Sequence, residues 1–259
     1  MKKHMIASLP ALYFLTFMLS VDAQSAPITI ESGKLQIALV ELYTSEGCSS
    51  CPPAEHWLSS LKDSPGLWSE FVPVAFHVDY WDYLGWRDPW SSRSFSDRQR
   101  AYAEHWRNAN IYTPGFVLNG TEWRDWARGK DALKRGPSIA GLLSMVSSDT
   151  NHWRVTFAAT NTTGVRYEVH AAWLASGLNS QVKAGENRGR LLTHDFVAMS
   201  LVHATLKRMG SEWQGEFDLL FPTHATGGDL AIAAWVTEAG SLEPVQAAGG
   251  WLLRPARGR

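Results

Sequence analysis

The sequence predicts a mixed α/β domain followed by a β-rich, sandwich-like half. Three observations carry this reading. Up to about residue 150, aliphatic strand-like runs alternate with helical spacing. From His152 onward, short strand-like runs recur with turn signals between them. The chain has 259 residues, enough for two domains of about 100–150 residues each.

The first segment reads as an export signal rather than part of the fold. Lys2 and Lys3 give a positive start, and Met5 to Val21 is apolar apart from Ser8, Thr16 and Ser20. Val21-Asp22-Ala23 offers compact residues to a signal peptidase, so residues 1–23 are assigned to a signal peptide. A site after Ala26 fits less well, because Gln24 then stands three positions upstream. An uncleaved anchor is the alternative, although the run is short for a hydrocarbon core of about 30 Å. No later run is long and apolar enough to span a bilayer.

Gln24 to Lys34 is polar and reads as a loose lead-in. Leu35 to Tyr43 reads as a buried strand, and Thr44 to Cys51 as a small, polar loop. Pro52 and Pro53 are tolerated in a helix only in its first turn. Ala54, Trp57, Leu58 and Leu61 then follow at helical spacing. Phe71 to Asp79 is the next strand, with Val72, Val74, Phe76 and Val78 on one face. Tyr80 to Trp90 is an aromatic loop. Ser96 with Gln99 has the form of a capping box and predicts a helix to about Asn108. Gly115 to Leu118 with Asn119-Gly120 predicts a hairpin returning over Trp123 to Arg128. Lys130 to Ser147 has a helical tendency, interrupted at Gly136-Pro137. Beyond it, strands are expected over Trp153–Thr160, Tyr167–Ala175, Phe196–Arg208, Glu212–Phe221, Leu230–Glu238 and Val245–Leu253. The predicted domains are therefore 34–148 and 152–259, the second of sandwich type.

The formal net charge is −1, which offers nucleic acid no basic surface and gives no reason to expect it as a partner. The chain has two cysteines, Cys48 and Cys51. In an oxidising compartment they form a disulfide. A disulfide this local closes a tiny loop and removes little unfolded-state entropy, so a redox or ligand role explains it better than a structural one. The pair sits where a strand gives way to a helix N-terminus. There the helix dipole and free N–H groups favour a thiolate. Cys48 is the expected exposed nucleophile, and Cys51, inside the first turn, the buried resolving thiol. Glu46 is a nearby anion that opposes thiolate formation. Zinc is the other reading of a CxxC, but structural zinc wants four ligands. His56 and His77 lack the paired spacing, so no metal and no cofactor are assigned. Tyr112-Thr113-Pro114-Gly115-Phe116 is the second mark. Proline can lead a strand but not sit inside a central one. A cis Thr113-Pro114 bond close to the CxxC would present the Thr113 backbone to a substrate, making Thr113 and Pro114 the candidate binding residues. An ordinary trans proline before a strand is the alternative.

With these residues in place, the chain resembles the thioredoxin superfamily. More narrowly, Val40 through Ala54, Phe76 through Trp86, Arg98 to Tyr102, Tyr112 through Gly120, Gly185 to Arg190 and Leu192-Thr193-His194 are similar to a family of bacterial secreted thioredoxin-like proteins of unknown function. The resemblance covers most of the chain. It implies a thioredoxin-like domain, a central mixed sheet with flanking helices, carrying a CxxC and a cis-proline. It supplies no substrate. Cys48-Ser49-Ser50-Cys51 departs from the better known dipeptides of thioredoxins and disulfide isomerases, so oxidant and reductant both stay open.

The expected function is an exported, periplasmic or secreted thiol–disulfide oxidoreductase. Its partners would be exported protein or small-molecule thiols and disulfides and an unidentified redox partner. Two alternatives stand beside it: copper binding by Cys48, Cys51 and His77, and a non-catalytic binding module with an oxidised CxxC. The aromatics Tyr80, Trp81, Tyr83, Trp86 and Trp90 are expected in the core rather than in a groove. Asp79 and Asp82 are expected as loop caps, and Glu186 to Arg190 as a solvated turn.

Overall fold

Two seven-residue segments, Ala38–Thr44 and Phe71–His77, are buried at every position. A strand with no solvent face belongs in the interior of a sheet covered on both sides. A computed structural model describes residues 26–133, 138–222 and 228–253; the segment read as a signal peptide lies outside them. The first half holds β1 (Ile28–Glu31), β2 (Ala38–Thr44), α1 (Pro52–Ser59), β3 (Phe71–His77), α2 (Arg93–His105), β4 (Gly115–Leu118), β5 (Thr121–Glu122) and β6 (Gly141–Ser147). The second half holds β7 (His152–Ala159), β8 (Tyr167–Ser176), β9 (Leu178–Gln181), β10 (Leu191–His194), β11 (Val197–Ala198), β12 (Val202–Thr205), β13 (Lys207–Met209), β14 (Glu212–Asp218), β15 (Asp229–Glu238) and β16 (Pro244–Leu253).

The larger sheet runs β16-β15-β8-β11-β3-β2-β4-β5, with β12 also paired to β8. β2 and β3 are parallel, and β4 runs antiparallel to β2, setting Tyr43 against Gly115. The short β11 joins the two halves: Val197 pairs with Ala75 of β3 and with Ala175 of β8. A second sheet, β1-β6-β7-β14-β13, packs over the β8–β15–β16 end of the first. Side chains alternate across a strand, so each long strand serves two cores. From β8 and β15, Val169, Trp173, Ile232 and Val236 face the second sheet and meet Trp153, Phe157 and Trp213. Leu174, Ala233 and Trp235 face the other way, onto Val74, Phe76, Phe95 and Tyr102. The two helices lie on opposite faces of β2. Ala54, Leu58 and Leu61 cover Val40 and Leu42, whereas Phe95 and Tyr102 of α2 pack with Tyr43 and Phe76.

This arrangement corrects the α/β reading. Strand accounts for 44% and helix for 16% of the described residues, with two α-helices among them, so the chain is a mostly β, multi-sheet structure and not a central sheet with flanking helices. One reason lies in Gly141–Ser147. It reads as helical, yet its burial alternates strictly along the segment, and it pairs as β6 between β1 and β7. A second reason lies in residues 28–31, read as a loose lead-in, which form β1. A third is that β8, β11, β15 and β16 extend the sheet begun by β2 and β3. Neither sheet is confined to residues 34–148 or to 152–259. The expected capping box is absent too: α2 begins at Arg93, and the Ser96 hydroxyl instead donates to Asp79.

One charged group is enclosed where α2 meets the sheet. Glu41, 1% exposed, accepts from Arg98 at 2.6 Å and from the hydroxyls of Tyr43 and Tyr102. The Arg98 guanidinium also lies 5.0 Å from the Trp235 ring centroid. Removing one partner of a buried ion pair leaves the other uncompensated. Glu41→Ala is therefore expected to cost about 3–5 kcal/mol in denaturant unfolding. Asp97→Ala, which breaks the exposed pair with Arg100, is expected to change stability by no more than about 0.5 kcal/mol. Equal effects from the two would refute the assignment.

Candidate functional site

The CxxC occupies the turn between β2 and α1. Pro52 and Pro53 follow at the first two helical positions, where an N–H has no intrahelical acceptor. Cys51 forms the helix N-cap, and its carbonyl accepts from Ala54 and Glu55 at 2.9 and 3.1 Å. Cys48 and Cys51 are joined as a disulfide. Across the sheet, β4 brings the segment before it alongside. The Cys48 Sγ lies 3.7 Å from the Thr113 carbonyl oxygen, and the Thr113–Pro114 peptide is cis. Trp81 Nε1 donates to the Thr113 hydroxyl at 2.8 Å, and Gln99 donates to the Tyr112 carbonyl at 2.7 Å. Beside Pro114 lies a groove of about 500 Å³ lined by Tyr112, Phe116, Trp123 and Trp126.

The connection between β9 and β10 crosses the CxxC loop as a strap. Asn187, fully buried, donates through Nδ2 to the carbonyls of Glu46 and Cys48, both at 2.9 Å. Glu186 accepts from the Ser49 N–H at 2.9 Å, and the Ser49 hydroxyl together with that N–H holds its carboxyl below the usual range. Gly185, at φ +76°, would set a Cβ 3.9 Å from the Gly47 Cα, and a Cβ on Gly47 would meet the Trp81 Cβ at 2.9 Å. Glu186, Arg188, Gly189 and Arg190 are exposed, as expected of a solvated turn, and Asn187 is its one buried anchor. Cys48 is 1% exposed and Cys51 is fully buried. The expectation of an exposed Cys48 is corrected accordingly. Ser49 and Ser50 are the exposed residues of the motif.

Beneath the loop lies a buried polar network. Glu46 accepts from Trp86 Nε1 at 2.6 Å and bonds His194 Nε2 at 3.0 Å. His194 Nδ1 bonds Glu55 at 2.8 Å, and Glu55 also accepts from the Thr44 hydroxyl. Burial disfavours a charge on His194, but its two carboxylate partners outweigh burial and push its pKa up to about 10. Burial likewise works against an ionised Glu55, yet the bond and charge of His194 hold it below its usual value. Next to them, His77 Nδ1 bonds Asp88 at 2.7 Å, and Asp88 accepts the N–H groups of Glu46 and Trp90. Burial opposes the Asp88 charge, and His77 together with those N–H groups lowers its pKa below the usual range. The His77 and His194 rings meet edge to face with centroids 4.9 Å apart. One ligand atom each from Glu55, His77 and His194 lies within 4.8 Å of the others.

Sequence reasoning brings Cys48, Cys51, Thr113 and Pro114 to one place, and so does the structure. It does not find Glu55, Asp88, Asn187 or His194. Glu46 is noticed only as an anion near the pair. The partners that define Asn187 and His194 are far away along the chain, up to 148 positions for Glu46 and His194, whereas Asp88 meets His77 across eleven positions. Asp82 is a loop cap, accepting from the Asp88 N–H and the Ser91 hydroxyl. Of the aromatic loop, Tyr80 and Trp81 pack against the core, whereas Tyr83 is 79% exposed.

A family model described as a protein of unknown function (DUF1223) matches residues 39–237. No curated protein matches the sequence. Two solved structures share the fold. Protein AGR_C_4864 from Agrobacterium tumefaciens is 24% identical, with a TM-score of 0.57 over 86% of this chain and 96% of that one. HBP35 of Porphyromonas gingivalis is 11% identical, with a TM-score of 0.54 over 88% of this chain and 79% of that one.

The strap generates a prediction. Asn187→Ala leaves the Glu46 carbonyl without its donor and the Cys48 carbonyl with only the Cys51 N–H, a loss of about 1–3 kcal/mol, and is expected to speed reduction of the disulfide by dithiothreitol. Denaturant unfolding of oxidised protein and timed thiol release measure the two effects. Unchanged stability and unchanged reduction would show that Asn187 does not hold the loop.

Proposed function

The chain belongs to the DUF1223 family, a family of unknown function, and from the geometry around Cys48 we propose that it is an exported thiol–disulfide oxidoreductase acting on protein or small-molecule thiols and disulfides. The observation that carries this reading is the 3.7 Å approach of the Cys48 sulfur to the Thr113 carbonyl, across 65 residues of chain. A CxxC at a helix start beside a proline-led strand resembles the redox site of the thioredoxin superfamily. Export is supported by the signal-like residues 1–23. Among the described residues no helix is long and apolar enough to cross a membrane.

The chemistry is thiol–disulfide exchange. A substrate thiolate attacks the Cys48 sulfur, the Cys48–Cys51 bond breaks, and Cys51 leaves as a thiolate. A second substrate thiolate then attacks the substrate sulfur of the mixed disulfide and releases Cys48. The substrate loses two electrons and the pair gains them; the reverse sequence reduces a substrate disulfide. The N-terminus of α1 favours the thiolate of Cys48. The Thr113 backbone would align an extended substrate beside it by strand addition, with Pro114 and the aromatic groove alongside. Because Cys48 is 1% exposed, exchange requires the groups around the sulfur to shift. That same burial favours a second reading, a binding module whose disulfide is inert. Copper binding by these thiols would require the reduced pair.

Alkylation and trapping separate the readings. In Cys51→Ala, Cys48 is expected to react with iodoacetamide with a midpoint below the free-thiol pKa of about 8.5 and to accumulate mixed disulfides with exported proteins. Cys48→Ser is expected to abolish exchange. A wild-type disulfide that resists glutathione, together with a Cys51→Ala protein that forms no adduct, would establish the inert module instead.

A further inference from the structure

Below the disulfide, one buried atom lacks a partner. His77 is fully buried, and its Nε2 makes no hydrogen bond among the described residues. A buried polar group left in this state costs about 1–3 kcal/mol. The other ring nitrogen explains its chemical form. Nδ1 bonds an Asp88 oxygen that also accepts the Glu46 N–H. An ionised carboxylate only accepts, so Nδ1 carries a proton, and in the neutral ring Nε2 is then a lone pair. A carboxylate on one imidazole nitrogen and a lone pair on the other is the usual state of a metal-ligating histidine.

The surroundings supply further ligands. Glu55 enters from α1, His77 from the end of β3 and His194 from the end of β10. All three are buried, and their ligand atoms lie within 4.8 Å of one another. Among the described residues, the carboxylates of Glu46, Glu55 and Asp88 have no lysine or arginine as a hydrogen-bond or ion-pair partner. Three carboxylates against the single imidazolium of His194 leave a net negative charge that suits a dication.

We propose that Glu55, His77 and His194 form a zinc site, distinct from the cysteine pair. Two imidazoles and one carboxylate with no sulfur match the donors zinc takes, and three protein ligands leave a fourth position open. Glu46 and Asp88 act from behind: each bonds a ring of the set, Glu46 that of His194 and Asp88 that of His77, and orients it. Zinc takes one nitrogen of His194 and releases to solvent the proton held there. Zinc–ligand bonds of about 2.0–2.2 Å replace the 2.8 Å hydrogen bond between Glu55 and His194, which opens by side-chain rotation to admit the ion. The ion would join α1 to β3 and β10, and so bind the support of the CxxC loop into one unit. This inference does not depend on the redox proposal, because it uses no sulfur.

The test uses the whole oxidised protein, in which the disulfide removes both thiolates from competition. The protein is unfolded in guanidinium with a chelator, refolded with zinc chloride, dialysed and analysed for metal. One zinc per chain is expected, with a higher melting temperature than protein refolded in chelator. Asp88→Asn keeps the ligands and removes an orienting partner; it is expected to lower zinc affinity about 10–100-fold. Glu55→Gln and His77→Ala are expected to lose binding, with circular dichroism checking their fold. Cobalt in place of zinc is expected to give tetrahedral visible absorption bands that persist in the Cys48→Ser/Cys51→Ser double variant. Wild-type protein refolded without zinc uptake would overturn the proposal. So would unchanged affinity in both Asp88→Asn and folded Glu55→Gln, or metal lost with the cysteines.

Discussion

His194 stands between two buried carboxylates, and the architecture around the disulfide depends on that bridge. Glu46 lies in the CxxC loop and Glu55 on the helix that follows it, while His194 ends a strand of the other half of the chain. Each carboxylate alone would pay a large desolvation cost in this position. Held on either side of one imidazolium, both remain ionised partners of a single group, and the loop, α1 and β10 are fixed together. Thr44 and Trp86 satisfy the remaining acceptors. The loop's shape is thus set by polar contacts beneath it as much as by the disulfide.

The hairpin that carries His194 also lies across the CxxC loop. The chain leaves β9, passes over the CxxC and enters β10, which carries His194 into the network. Asn187, on that crossing, supplies the donor that the Glu46 and Cys48 carbonyls need. The cover and its anchor are therefore neighbouring parts of one hairpin. β11 follows directly and pairs with β3, which places the hairpin against the loop through backbone hydrogen bonds. Any chemistry at Cys48 is coupled to the second half of the chain through this connection.

The large sheet makes that coupling structural. Its central strands come from both halves, and one apolar cluster runs from Val74 and Phe76 through Leu174 to Trp235. The Glu41–Arg98 pair lies in the same layer, with Arg98 over the Trp235 ring. The two solved structures of similar fold extend over most of this chain, so the likeness includes both sheets and is not confined to the segment around the CxxC.

The sequence by itself determined what depends on neighbours along the chain. Aliphatic Leu35 to Tyr43 followed by a polar loop and Pro52-Pro53 specifies strand, CxxC and helix in that order, because proline belongs only in the first turn. Asn119-Gly120 specifies the β4–β5 turn, where both residues have positive φ. The long strands β7, β8, β14, β15 and β16 announce themselves by β-branched and aromatic runs between turns. Tertiary structure decided the rest. Gly141–Ser147 is a strand and not a helix because β1 and β7 offer it backbone partners on both sides, and neither is visible in a local period. Asn187, Asp88 and His194 are ordinary polar residues in sequence. Asn187 and His194 become the support of the CxxC loop only when the fold brings positions more than a hundred residues apart within hydrogen-bonding distance; Asp88 meets His77 from eleven positions away. Local chemistry set the elements, whereas the shared sheet set which buried charges meet, since a buried charge must find its partner wherever the fold places one.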